Sequence, residues 1–158
     1  MIRSARATDK ADVVRLLAES REGAGFDRQD GPTGFVFPFS VEYAERLFVR
    51  HFRGPHVLCL VHDIDGTAQG VLMATASEHP FGPVWLARET LWWINPAYRG
   101  GTAAVRMLDA YEEWAALKGC LFVGMAGMGD DPAVAKLYRR RGYGHAETHY
   151  LKPLGSAA

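Results

Sequence analysis

The stretch INPAYRGGTAAVRML, Ile94 to Leu108, sets Pro96, Arg99, Gly100 and Gly101 between the apolar run LWWI and a run of helix formers. Glycine inside a helix or strand costs about 0.5–1 kcal/mol, so two in a row at a junction imply a sharp bend or a backbone lying close to a ligand. A strand, a glycine-rich turn and a helix N-terminus together make an anion site. The unpaired backbone N–H groups and the positive helix end favour phosphate oxygens. Two familiar phosphate loops are missing: there is no G-x-x-x-x-G-K-[ST], and no G-x-G-x-x-G after a first strand. An ordinary tight turn is the competing reading.

Glu89 is the second group with chemical promise. Strict alternation along VWLARETLWWI puts it on one strand face with Leu91 and Trp93. A desolvated carboxylate there has a raised pKa and suits a general base, directly or through water. A salt bridge to Arg88 or another cation is the equal alternative. HAETH, His145–His149, is not H-E-x-x-H, and it reads as strand. Four strand residues span about 13 Å, too far for both histidines to hold one metal ion. Arg139–Arg141, with Lys136, form a basic patch at a helix end, where the dipole favours cations. Cys59 and Cys120 lie inside apolar runs and read as buried thiols rather than a disulfide or a nucleophile. Trp85, Trp92, Trp93 and Trp114 read as core, with Trp85 and Trp93 on the expected Glu89 face.

The elements that must position these groups follow from periodicity. The chain has 158 residues, 48% hydrophobic and 23% charged, with eighteen basic and eighteen acidic residues. That suits one domain over residues 1–154 with a short frayed tail at 155–158, in a cytoplasmic protein. A net charge of zero supplies no field to gather nucleic acid or an anionic membrane. A strand at Ile2–Ala7 and a helix capped by Thr8 open the chain, and a loop over Gly23–Phe39 carries four phenylalanines. A helix capped by Ser40 leads into three antiparallel strands: His56–Asp63, Gly70–His79 and Val84–Ile94. A helix from Thr102 to Lys118 then crosses over to CLFVGMAG, a strand parallel to Val84–Ile94. Asp131 and Pro132 start a helix that Gly142 closes, and GHAETHYLKPL is the last strand. The result is an α/β (α+β) mixed sheet with helices on both faces.

NPAYRGGTAAVRML, followed by a helix, a strand and AVAKLYRRRGYGHAETHYLKPL, resembles the GNAT superfamily of N-acetyltransferases. The element order matches that fold from Ile2 to Leu154. The family writes its turn [RQ]-x-x-G-x-[GA]; here Arg99 takes the first place, Thr102 stands where glycine is usual, and Ala104 takes the last. The resemblance implies a mostly antiparallel sheet with a splayed parallel pair. It also implies acetyl-coenzyme A as co-substrate, its pyrophosphate bound by amides within Arg99, Gly100, Gly101, Thr102, Ala103 and Ala104, and Ile94 at the strand end beside it. Tyr138 sits where the family commonly carries the tyrosine that protonates the departing thiolate, although burial of its ring beside Val134 and Leu137 is the structural alternative. An oxyanion donor is expected among the backbone N–H groups of Trp93 to Asn95. The expected activity is direct acetyl transfer to a primary amine of a small molecule, peptide or protein. The acceptor pocket is expected from the Gly23–Phe39 loop, the second helix and the last strands. Alternatives within the fold are an acyl-coenzyme A sensor without turnover and a modifier of an aminated nucleobase; a homodimer stays open.

Overall fold

A computed structural model of the chain describes residues 1–127 and 132–155; the expected Asp131 cap and residues 156–158 of the tail lie outside these. Five strands form one sheet in the order β1 (Ile2–Ser4), β2 (Val57–Ile64), β3 (Thr67–Glu78), β4 (Trp85–Ile94) and β5 (Cys120–Gly124). The first four run antiparallel and β4–β5 is parallel. Asp65 and Gly66 hold positive φ values of 50° and 86°, which gives the β2–β3 hairpin the twist its strands require. Every residue from Gly70 to Ala74 of β3 is buried, as expected of a central strand covered on both faces.

Helices α1 (Lys10–Gly23) and α2 (Val41–Phe52) cover one face, and α3 (Ala103–Leu117) and α4 (Pro132–Arg140) the other. Val13, Leu16, Phe48, Val61, Val71 and Met73 fill the first layer. Leu60, Leu72, Ala74, Met107, Leu108 and Tyr111 fill the second. Ser40 caps α2 by accepting the Tyr43 N–H at 3.2 Å. Thr8, in contrast, is no cap: it lies in a 3-10 turn over Ala7–Asp9, and the Asp9 carboxylate accepts the Arg6 N–H at 2.6 Å and holds Arg3 at 2.8 Å. The ionised Asp9 thus closes the 3-10 turn, and α1 starts after it without a side-chain cap.

The expected last strand does not form. Residues 143–154 have no strand assignment, and β5 pairs only with β4 among the described residues. Tyr150, Leu151 and Leu154 break a period of two, and Pro153 lacks an N–H to donate, so the segment has neither an apolar face nor a full ladder. His145 lies beside Thr148 and His149 beside Glu147 instead.

Gly23, the last residue of α1, lies flat against the Trp93 indole, where a Cβ would overlap the ring. Alanine is normally the better helix residue by about 1 kcal/mol, but overpacking costs about 1–3 kcal/mol. Gly23→Ala therefore lowers the melting temperature by several degrees in a thermal scan, and Trp93→Leu in the same background recovers it. An unchanged or higher melting temperature for Gly23→Ala would show that the indole is not fixed there.

Candidate active site

The β3–β4 register shifts by one residue: Met73 faces Leu91 and Ala74 faces Glu89, which leaves Thr90 opposite nothing. One extra residue in a strand reverses the alternation beyond it. Glu89 therefore does not share a face with Leu91 and Trp93. Those two pack with the α1 and α2 layer, whereas Ala87, Trp92 and Ile94 pack with α3 and α4. Glu89 lies on this second side, with its Oε2 accepting the Ala126 N–H at 3.0 Å and Tyr111 of α3 close enough to feel its charge. Burial pushes the Glu89 pKa up to about 7, partly offset by the Ala126 N–H, and no cation pairs with it among the described residues. The salt-bridge alternative with Arg88 is thus not what the structure shows.

Tyr138 reaches the same place from α4. Its hydroxyl donates to the Ala126 carbonyl at 2.8 Å, and its ring lies 6.2 Å from Trp92 and 5.6 Å from Tyr143. Ala126 thus bonds to both expected catalytic side chains, one through its N–H and one through its carbonyl. Tyr111, fully buried, donates to the Gly124 carbonyl at 2.9 Å and anchors the end of β5 to α3.

Parallel pairing stops at Arg88–Gly124, while β4 runs on to Ile94. Asn95 donates its N–H to Gln69 at 2.8 Å across β3, so alternation turns Trp93 the same way and sends the N–H groups of Trp92 and Ile94 to the side β5 has left. Of the stretch Trp93 to Asn95, only Ile94 thus offers a backbone N–H there, and Trp92 joins it. The buried Trp92 indole N–H also has no acceptor among the described residues. A ligand acceptor in this gap would satisfy it.

The glycine turn expected to hold the pyrophosphate follows β4 directly. Gly100 takes a φ of 88°, reserved in practice for glycine, and a Cβ at Gly101 would meet nothing within 4 Å. Thr102 occupies the N-cap position of α3 but makes no side-chain cap hydrogen bond, which leaves the amides of the first turn, Thr102 to Ala104, without a side-chain cap. Arg99 donates its Nε to the Ile94 carbonyl at 2.7 Å and lays its guanidinium 4.3 Å from the Trp93 ring centre. Arg141 is taken out of the basic patch by Asp109 at 2.6 Å and Glu112 at 2.8 Å, which lock α4 onto α3. Arg141 is therefore not open to an anionic ligand.

Sequence reasoning missed His51. It is buried on α2, with Nδ1 2.9 Å from the Leu47 carbonyl and Nε2 2.6 Å from Thr90 Oγ1. A carbonyl only accepts, so Nδ1 carries the proton and Nε2 accepts the Thr90 hydroxyl. Burial holds the imidazole below its usual pKa, in keeping with that neutral form. The only signal in the sequence is a histidine on the apolar stripe of α2, which by itself names no partner.

Residues 27–143 match the Acetyltransferase (GNAT) family, and the chain belongs to it. It is accordingly an acetyltransferase with acetyl-coenzyme A as co-substrate. The fold is shared with a transcriptional regulator from Bacillus halodurans C-125 at a TM-score of 0.77 and 19% identity, covering 98% of this chain and 99% of that one. A ribosomal-protein-alanine N-acetyltransferase from Brucella melitensis gives 0.73 and 16%, covering 98% of each chain. The aminoglycoside N-acetyltransferase AAC(6')-Iy in complex with CoA gives 0.70 and 14%, covering 99% and 100%. No curated protein sequence matches the chain.

The half-buried Glu89 carries a testable sign. Its folded pKa of about 7 lies above the ordinary 4.5, so the native state binds more protons between those values and stability falls as pH rises through them. Glu89→Gln removes the penalty. Its melting temperature should exceed the parent's by more at pH 8 than at pH 5, and an equal offset at both would place the carboxylate in water.

Proposed function

We propose that the chain transfers an acetyl group directly from acetyl-coenzyme A to a primary amine, with Glu89 as general base and Tyr138 as general acid. The observation that carries this reading is the pair of hydrogen bonds at Ala126, which brings a half-buried carboxylate, without a cation partner among the described residues, and a tyrosine hydroxyl to one residue beside the β4–β5 gap. The amides of Gly100 to Ala104 hold the pyrophosphate, with Arg99 and Ile94 fixing the strand end from which the turn departs. The N–H groups of Trp92 and Ile94 stabilise the tetrahedral oxyanion.

Acetyl transfer requires a neutral amine, a stabilised oxyanion and a proton for the thiolate. A carboxyl that titrates near neutral pH is ionised often enough to accept the proton of an incoming ammonium, directly or through a water. The Tyr138 hydroxyl already points a proton at the Ala126 carbonyl, and turning it from that acceptor to the sulfur delivers it. The amine attacks the thioester carbon, the carbon–sulfur bond breaks, and free coenzyme A leaves with the amide. No described helix is long and apolar enough to cross a membrane. The two free thiols, Cys59 and Cys120, suit a reducing cytoplasm.

Acetyl-coenzyme A should raise the melting temperature by binding linkage. Gly101→Val, whose side chain enters open space and leaves the fold intact, should abolish most of that shift. Absence of any shift at saturating acetyl-coenzyme A would sink the cradle. In a thiol-release assay over an amine panel, Tyr138→Phe should lower turnover by about 10²–10⁴-fold while the thermal shift persists. The defect of Glu89→Gln should shrink as pH rises and more of the amine is already neutral. That of Tyr138→Phe should not, since alkali supplies no proton. Tyr138→Phe turnover within about threefold of the parent, well below that range, would leave the tyrosine a packing residue.

A further inference from the structure

The faces of β4 require one extra residue but do not say which residue it is. Ala87 packs on the α3 side with Ala74, whereas Leu91 packs on the α1 and α2 side, opposite Met73. Strict alternation would put Ala87 and Leu91 on one face, so an inserted residue must lie between them. Arg88, Glu89 and Thr90 all occupy that interval. With Arg88 inserted, Glu89 would stand opposite Thr75, on the side where Arg88 and Thr90 are exposed, and Thr90 would stand opposite Ala74. With Glu89 inserted, the carboxylate would have no cross-strand partner, and Thr90 would again stand opposite Ala74. The structure inserts Thr90, which leaves Glu89 opposite Ala74 and on the α3 side.

One interaction favours this third arrangement. His51 of α2 is only 6% exposed, and its Nδ1 donates to the Leu47 carbonyl at 2.9 Å, so Nε2 is left as an acceptor. The Thr90 hydroxyl donates to it at 2.6 Å. With Arg88 or Glu89 inserted instead, the hydroxyl would turn to the other face, and a buried ring nitrogen would lose its donor.

Resting on the reading of Glu89 as the base, we infer that His51 is a positioning residue for Glu89: its hydrogen bond to Thr90 pins the bulge at that residue and so directs the carboxylate to the Ala126 N–H, where Tyr138 also arrives. His51 acts through Thr90 and takes no proton from the amine.

The test is the titration of Glu89 in the full chain, read by carboxyl 13C NMR and assigned by the resonance that Glu89→Gln removes. The parent midpoint should lie at about pH 7. Thr90→Ala and Thr90→Val remove the hydroxyl at an exposed position, so both should fold. In each, the midpoint should fall towards the ordinary 4.5 by about one pH unit or more, and hydrogen exchange at the Ala126 N–H should quicken. Thr90→Ser keeps the hydroxyl and should restore the parent midpoint. In the thiol-release assay Thr90→Ala should lower kcat by about tenfold or more, with the acetyl-coenzyme A thermal shift intact, and Thr90→Ser should recover it. A parent-like midpoint in Thr90→Ala would overturn the inference, since a fall in Thr90→Val alone would come from the new methyl group. An equal fall in Thr90→Ser would overturn it too, as would a parent midpoint already near 4.5. A lowered midpoint in Thr90→Ala with kcat unchanged would uphold the positioning of Glu89 and remove Glu89 as the base.

Discussion

The hydrogen bond between Thr90 Oγ1 and His51 Nε2 secures the one residue of β4 that has no partner in β3. That residue decides which side chains can meet. Without it, a strand alternating without interruption would turn Glu89 towards α1 and α2, away from Tyr138. With it, the acid side chain lies on the α3 side, the carboxylate is half-buried, and its proton affinity rises into the neutral range. A buried neutral histidine is well suited to hold a bulge, because it accepts the hydroxyl without bringing a charge into the core.

The parallel pair supplies the second constraint. A helical crossover makes β5 run alongside β4, and β5 is short, so the two strands are joined only as far as Arg88 and Gly124. Beyond that point the backbone of Trp92 and Ile94 has lost its neighbour, and a sheet that would normally satisfy those groups leaves them facing a gap. Tyr111 keeps the end of β5 against α3, and Arg141 with Asp109 and Glu112 keeps α4 in place, so Tyr138 overhangs the gap from a fixed helix. The polar groups of the candidate site and the gap between the strands therefore have one cause.

The turn after β4 and the pocket between residues 35–38 and 151–155 sit on different kinds of chain. The turn is local: a strand end, a positive-φ glycine and a helix start within ten residues. The pocket is assembled from residues more than a hundred positions apart, with little regular structure in either wall. Loops of this sort tolerate change without disturbing the sheet.

Local sequence determined most of the scaffold. The Asp65–Gly66 turn, the Ser40 cap, the helical stripes and the glycine pair after LWWI act through neighbours in the chain, and the strand and helix order could be read from them, as could the family. Alternation along β4 singles out Glu89 but places it on the wrong face, and only the family resemblance singles out Tyr138; the catalytic roles of both belong to the proposal above. Tertiary structure alone decided how they meet. The bulge leaves Thr90 without a partner in β3 and bonded to His51 of α2, and a period of two read from the sequence has no sign of an inserted residue. The fate of residues 143–154 was likewise not local, since a strand forms only where another edge and an apolar face receive it. The partner of Arg141, the burial of Glu89 and the bridging role of Ala126 all depend on elements distant in the chain arriving together. Pairing, desolvation and the pKa that follows from them are properties of that arrival.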